Sequence, residues 1–373
     1  MNQLKTIKVI MTGGTICSLP DENTGKSYSN ASKTVTKLEE NYKSSTSPFK
    51  DEVYFDYVKL NPDILSENMT VSAWNDLLDI FKKRKEWGKV AGVIVLHGTD
   101  TLAYTSALLS VALSGIDIPV IMVSAQRSLD KKDTNGYVNF RSAVELIMNG
   151  IKPNVYVSYC NVISEKGKLD RLDKLYVHYG IELTQCPNYS DNFHSENEML
   201  VDDISNANLK GKAFETAHLL VYKIERLNND VLFLQPYTNL CYDNINIDGL
   251  NAIVHATYHS QSVCIGRPKI KDNDENKSYS LEEIKDEDKP FSILSLLQKC
   301  HEKKVTVLLS PCNESNFTYG TTANALDKGG LAIYGTTQEV AYVKTLIGCA
   351  LGKRGKQLQE FLAKSVNYEF IYK

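Results

Sequence analysis

The stretch Val93-Ile94-Val95-Leu96-His97-Gly98-Thr99-Asp100-Thr101 decides the architecture. Aliphatic and β-branched residues run unbroken to a small polar cluster, after which Leu102, Thr105, Ser106, Leu108 and Leu109 resume at helical spacing. That pattern predicts a buried strand, a tight turn and a helix. A second unit of the same form lies nearer the amino terminus, where Ile7-Lys8-Val9-Ile10-Met11 leads into Thr12-Gly13-Gly14-Thr15-Ile16. Open parallel sheets bind ligands outside the carboxyl ends of their strands. Two Gly-Thr turns delivered there can bring hydroxyls, a carboxylate and bare backbone amides to one small ligand. Taken singly, each is an ordinary strand-to-helix connector.

Working outward, residues 52–60 alternate as a strand. They lead through Asn61-Pro62-Asp63-Ile64-Leu65-Ser66-Glu67-Asn68-Met69-Thr70 into a helix carrying Trp74, Leu77, Leu78 and Phe81. Ser66 or Thr70 suits its N-cap. Pro119-Val120-Ile121-Met122-Val123 reads as another buried strand. Ser124-Ala125-Gln126-Arg127-Ser128-Leu129-Asp130 and a helix with Tyr137, Phe140, Ala143, Val144 and Ile147 follow it. Strand and helix alternate to about residue 160, which predicts a parallel, doubly wound sheet. Residues 18–37 contain Pro, Gly and Asn without a periodic apolar face, and read as a surface loop or a lid beside the first turn. The pattern turns polar and irregular from about 195 to 215, then repeats strand and helix on a smaller scale. The expected fold is therefore α/β: a larger N-terminal flavodoxin-like domain (1–200), a linker (201–215) and a smaller C-terminal α/β domain (216–373). The charged run from Lys271 to Lys289 reads as a solvated insertion.

At 373 residues the chain can bury two sizeable cores. A hydrophobic content of 42% with 23% charged residues is that of a globular protein, and a net charge of −3 leaves no electrostatic footprint for nucleic acid or an anionic membrane. No apolar run approaches the roughly 20 residues that span a bilayer. The start, Met1-Asn2-Gln3-Leu4-Lys5, shows no secretion signal, and the eight cysteines are dispersed without a C-x-x-C pair. Reduced thiols in a cytoplasmic protein, and no metal site, are the expectation. Cys17 lies just past the first turn, but Thr15 fills the better position for a nucleophile.

Both Gly-Thr segments resemble the signatures of the L-asparaginase family: bacterial-type asparaginases, glutaminase-asparaginases and the archaeal glutamyl-tRNA amidotransferase D subunit. Ile64-Leu65-Ser66-Glu67-Asn68-Met69 and Ala125-Gln126-Arg127-Ser128 look most like the amidotransferase D branch. The resemblance extends into the C-terminal half. There Ala252-Ile253-Val254-His255-Ala256-Thr257 precedes Tyr258-His259-Ser260-Gln261-Ser262, Val305–Leu309 precedes Ser310-Pro311-Cys312-Asn313, and Thr336-Thr337-Gln338-Glu339 opens a long helix. It implies catalytic roles for Thr15 as nucleophile, Tyr28 on the lid, Thr99 and Asp100. Gly14, Ser66, Glu67, Gly98, Ala125 and Gln126 would bind substrate. It further implies cofactor-free hydrolysis of an amino-acid amide, asparagine before glutamine, by a homodimer or homotetramer.

One member of the family's set is missing. The family adds a lysine shortly before a Phe-x-Ser-x-Asn segment. Here that segment is Phe193-His194-Ser195-Glu196-Asn197, and Thr184 or Gln185 occupies the lysine's position. Gln185 can donate a hydrogen bond but cannot supply a positive charge. Lys174 lies earlier and would have to reach in from another direction. Glu339 reads either as a carboxylate reaching a neighbouring subunit's substrate or as a first-turn helix acid. The Tyr258–Ser262 loop has the same two readings, partner contact or plain turn. A catalytically impaired binding relative and an ammonia-supplying amidotransferase subunit are the competing functions. The D branch usually carries an additional N-terminal domain, and this sequence opens on the first catalytic strand.

Overall fold

The computed structural model describes residues 4–20, 27–29, 31–201, 214, 218–270, 277–312 and 319–371. The chain divides into two compact units, residues 1–223 with 366–368, and residues 224–365 with 369–373. The linker expected at 201–215 lies outside the described residues except for Val201 and Phe214.

In the first unit the strands are β1 (Lys5–Gly13), β2 (Ser18–Pro20), β3 (Ser27–Ser29), β4 (Val53–Ile64), β5 (Gly92–Leu96), β6 (Val120–Val123), β7 (Val155–Ile163), β8 (Arg171–Tyr179) and β9 (Met199–Val201). Seven form one sheet in the order β4-β1-β5-β6-β7-β8-β9. The first five run parallel, and β8 and β9 add an antiparallel edge. β5 and β6 are buried along their whole lengths, which is why they read as unbroken aliphatic runs. The helices are α1 (Ala31–Ser44), α2 (Val71–Lys82), α3 (Leu102–Ala112) and α4 (Gly136–Met148). α3 is buried on nearly every side and is small or apolar almost throughout.

Two local expectations change and a third is refined. Residues 18–37 are not one long loop: β2 and β3 pair as an antiparallel ribbon, and α1 begins at Ala31. The buried face of α1 rests on Thr34, Leu38 and Tyr42, one residue per turn in an otherwise polar segment. Residues 199–201 join the sheet as β9, within a stretch that reads as irregular. The described part of the charged run carries exposed charges such as Glu282, Asp286 and Glu287, as a solvated insertion does, and is also tied to its surroundings. Arg267 is bidentate to Asp288, with Nε to Oδ2 2.7 Å and Nη2 to Oδ1 2.9 Å. Tyr279 also exchanges two hydrogen bonds with the Asn324 amide, at 2.7 and 2.9 Å.

The second unit holds a parallel sheet of β10 (Val231–Leu234), β11 (Ala252–Ala256), β12 (Thr306–Cys312) and β13 (Leu331–Tyr334), in that order. Its helices are α5 (Ile293–Lys303), α6 (Gly320–Asp327), α7 (Gln338–Ala350) and α8 (Gly355–Leu362). The core there packs Ile253, Val307 and Leu309 of the sheet against Ile293, Leu296 and Leu297 of α5. Among the described residues no helix is long and apolar enough to cross a membrane.

Candidate active site

Three loops converge at the carboxyl ends of β1, β4 and β5, and glycine makes the convergence possible. Gly14 has φ +76°, and a Cβ built on it would lie 2.2 Å from both Cα and N of Gly98. Gly13, at φ +122°, would place a Cβ 1.9 Å from the carbonyl oxygen of Ile64. No side chain fits at either position in this conformation. The two Gly-Thr turns therefore meet backbone against backbone. Gly14 N donates to Ile64 O at 2.8 Å, and Thr12 Oγ1 donates to Leu96 O at 3.0 Å, so each strand end is tied to its neighbour.

Thr15 opens a single 3-10 turn (Thr15–Cys17) and is half-buried, as is Thr99 on the second turn. Neither side-chain hydroxyl has a hydrogen-bond partner among the described residues. The neighbouring hydroxyls, by contrast, are all spent. Ser18 Oγ donates to Gly14 O at 2.8 Å and Thr101 Oγ1 to Ser66 O at 2.9 Å. Ser66, 3% exposed, donates its hydroxyl proton to Asp100 Oδ2 at 3.0 Å and accepts from Asp100 N at 3.2 Å. Asp100 and Glu67 themselves are exposed. Tyr28 stands on β3 opposite Leu19, and its side chain lies outside the described residues.

His97 supports the second turn from behind. It is fully buried, and burial pushes its pKa down to about 4, so the ring is neutral. We assign the proton to Nδ1, which faces Gly98 O at 2.8 Å; that bond fixes the peptide leading into Thr99. The sequence placed His97 at the right spot without indicating this role.

Gln185, rather than Thr184, reaches the second turn. Gln185 Nε2 donates to the backbone oxygen of Asp100, whereas Thr184 Oγ1 turns to His194 O at 3.2 Å. The segment bearing Gln185 is anchored by two reciprocal amide pairs that the sequence did not reveal. Asn161 exchanges bonds of 3.0 and 3.1 Å with the Phe193 backbone, and Asn192 does so with Val162 at 2.8 and 3.1 Å. Lys174 is exposed on β8. Cys17 is fully buried, which removes it as an accessible nucleophile.

Ala125 is fully buried at the end of β6. The Gln126 side chain is held within its own loop, with Nε2 on Asp133 O at 2.6 Å and Oε1 accepting from Asn135 N at 2.9 Å. Asn135 Oδ1 in turn accepts from Gln126 N at 3.0 Å, so this glutamine shapes the loop. In the second unit Glu339 is 7% exposed in the first turn of α7, next to the Thr337 N-cap. A cavity of about 440 Å³ beside Tyr237, Tyr258 and Phe291 also belongs to that unit, so Tyr258 of the Tyr258–Ser262 loop lines it, and none of the catalytic or substrate-binding candidates does.

Comparison with known proteins adds three kinds of likeness. The family model described as "Asparaginase, N-terminal" matches residues 6–210, more than half of the chain. The glutamyl-tRNA(Gln) amidotransferase D subunit of Methanococcus maripaludis is 34% identical over 160 residues, which is 42% of this chain and 35% of that protein. The corresponding D subunit of Saccharolobus islandicus is 36% identical over 138 residues, 37% of this chain and 29% of its own length. These matches thus span about a third of the length of those relatives. Among solved structures, L-asparaginase I of Vibrio cholerae aligns over 98% of this chain and 99% of its own, with TM-score 0.64 and 18% identity. The thermostable L-asparaginase of Thermococcus kodakarensis aligns with TM-score 0.65 and 16% identity over the same shares. At those identities the structural likeness establishes the fold.

Proposed function

Because the chain belongs to the asparaginase family, we propose that it is a cytoplasmic amidohydrolase that releases ammonia from the side-chain amide of a small amino acid, asparagine before glutamine. One observation carries the reading. The two Gly-Thr turns meet at Gly14 and Gly98, and the only hydroxyls there without a partner among the described residues are those of Thr15 and Thr99. A connector that merely turned the chain would have no use for two uncommitted hydroxyls at one spot.

In this reading Thr15 Oγ attacks the amide carbon, its proton passes to the leaving nitrogen, and ammonia departs as the carbon–nitrogen bond breaks. The acyl-Thr15 ester is then hydrolysed by a water positioned by Thr99, which restores the hydroxyl and releases the acid. Backbone amides of the second turn stabilise the oxyanion. Asp100, held in place by Ser66, receives the substrate's ammonium group with Glu67 beside it. Tyr28 orients Thr15. Gln185 takes the place of the family's lysine as a neutral donor that holds the Asp100 peptide, so it positions the turn and does not titrate. A homodimer or homotetramer is the expected assembly.

The similarity to amidotransferase D subunits favours a second reading, in which the same chemistry supplies ammonia to a partner enzyme. The neutral Gln185 favours a third, a relative that binds an amino acid without turnover.

The test is ammonia release from millimolar L-asparagine and L-glutamine by wild type, Thr15→Ala and Thr99→Ala. Turnover that falls by at least about two orders of magnitude in both variants supports the amidohydrolase. Folded protein that releases no ammonia, yet is stabilised against heat by asparagine, supports the binding relative instead.

A further inference from the structure

The segment that brings Gln185 to the second turn is held by a buried carboxylate. Glu182, three residues before Gln185, is 3% exposed. It accepts three hydrogen bonds from Asn197: one of 3.0 Å from the backbone N–H, and one of 3.0 Å from Nδ2 to each carboxylate oxygen. Asn197 itself is exposed, so it caps the carboxylate from the solvent side. Thr184 N and Thr184 Oγ1 both donate to His194 O, at 3.3 and 3.2 Å. Residues 182–184 and 194–197 are thus joined before the Gln185 side chain leaves for the Asp100 backbone oxygen. A buried carboxylate is costly unless hydrogen bonds satisfy it. The pairing therefore resists sliding, because a shift in register would strip Glu182 of its donors.

Gln185 Nε2 meets the turn at the Asp100 backbone oxygen, and it stays there only while its own segment keeps its register. A misplacement of about 1 Å caused by a change outside the chemistry can cost about a hundredfold in rate. We propose that Glu182 and Asn197 are positioning residues for the reaction: their clamp keeps the Gln185 amide on the Asp100 peptide, and so keeps Thr99 and Asp100 aimed. The proposal rests on the amidohydrolase reading and adds to it two residues that act on the site through Gln185.

The experiment measures kcat for ammonia release from L-asparagine, well below the melting temperature, as a double-mutant cycle. Asn197→Asp sets a second carboxylate against Glu182 and should lower kcat at least about fivefold. Combined with Gln185→Ala it should cost no more than Gln185→Ala alone, because the clamp acts through that amide. The reversed pair, Glu182→Gln with Asn197→Asp, again faces an amide with a carboxylate and should return kcat to within about twofold of wild type. A clamp that served the fold alone would lower the melting temperature and leave kcat unmoved. The proposal is overturned by a near wild-type kcat in Asn197→Asp or in Gln185→Ala. Losses that multiply in combination, or a reversed pair no faster than Asn197→Asp, overturn it as well. If Asn197→Asp does not fold, Asn197→Ala, at the same exposed position, replaces it in the cycle. If wild type releases no ammonia, the amidohydrolase reading fails by itself, and the cycle is read in melting temperatures. A combined loss smaller than the sum of the single losses then upholds the link between the clamp and Gln185, and additive losses overturn it.

Discussion

The ends of β5 and β11 are built alike and finished differently. Both are interior strands with a fully buried histidine at the carboxyl end, His97 just past β5 and His255 in the last pleat of β11, and the Nδ1 of each faces the carbonyl oxygen of the next residue at 2.8 or 2.6 Å. Burial pushes both imidazoles down to about 4. Beyond that point the two turns diverge. After His255 the chain continues Ala256-Thr257, and the Thr257 hydroxyl donates to Pro311 O at 2.8 Å. His255 Nε2 also meets the Tyr242 hydroxyl at 2.8 Å. After β5 the chain continues Gly98-Thr99, with the threonine hydroxyl uncommitted among the described residues and the glycine opened to another loop. The same strand-end device serves packing when its polar groups are saturated, and can serve a ligand when they are left over.

The sharpest way to break this comparison is to exchange the finishing residues. In Gly98→Ala the new methyl would stand 2.3 Å from Ser66 Oγ and 3.0 Å from Gly14 Cα. We expect about 1–3 kcal/mol of destabilisation from overpacking, together with loss of ammonia release. Thr257→Val removes one hydrogen bond and should cost about 1 kcal/mol while leaving turnover intact. Thermal melts and ammonia assays on both variants check the pair. Turnover that survives Gly98→Ala would show that the close approach of the two turns is not needed.

A smaller effect tests what the two ends share. An unfolded histidine titrates near pH 6.5, and the native rings of His97 and His255 bind a proton only near pH 4. Between those values the unfolded chain holds protons that the native protein does not, so stability present above pH 6.5 is lost as the pH falls toward 4. His97→Asn and His255→Asn keep a donor near the Nδ1 position and remove the titration. Each should flatten the decline in melting temperature between pH 7 and pH 5, and by similar amounts. A slope unchanged in both variants would mean that these histidines are charged in the native state.

How far the sequence could be read follows from the same physics. β5 and β6 are buried on both faces, so Gly92–Leu96 and Val120–Val123 announced themselves as aliphatic runs. The glycines of both turns stood out because few other contexts demand them. α1 was hidden because its apolar contribution to the core is only Leu38 and Tyr42 among polar neighbours. The first four residues of β8, Arg171 to Lys174, are exposed, so the antiparallel edge carries no hydrophobic signal there. Side-chain clamps such as Gln126 with Asn135 and Asn161 with Phe193 pair residues that have no periodic relation in sequence. The choice between Thr184 and Gln185 rested on a one-residue gap, and sequence could not show that the Gln185 side chain turns to the Asp100 peptide and that of Thr184 to His194.

The central claim is that Thr15, on the first of two interlocked turns, carries the acyl group. The most direct measurement is mass spectrometry of the acid-quenched protein, digested after brief mixing with an amide substrate that it turns over. The account predicts an acyl adduct confined to the peptide containing Thr15 and absent from Thr15→Ala. An adduct on Thr99 or on a cysteine, or ammonia release from Thr15→Ala at the wild-type rate, would contradict it.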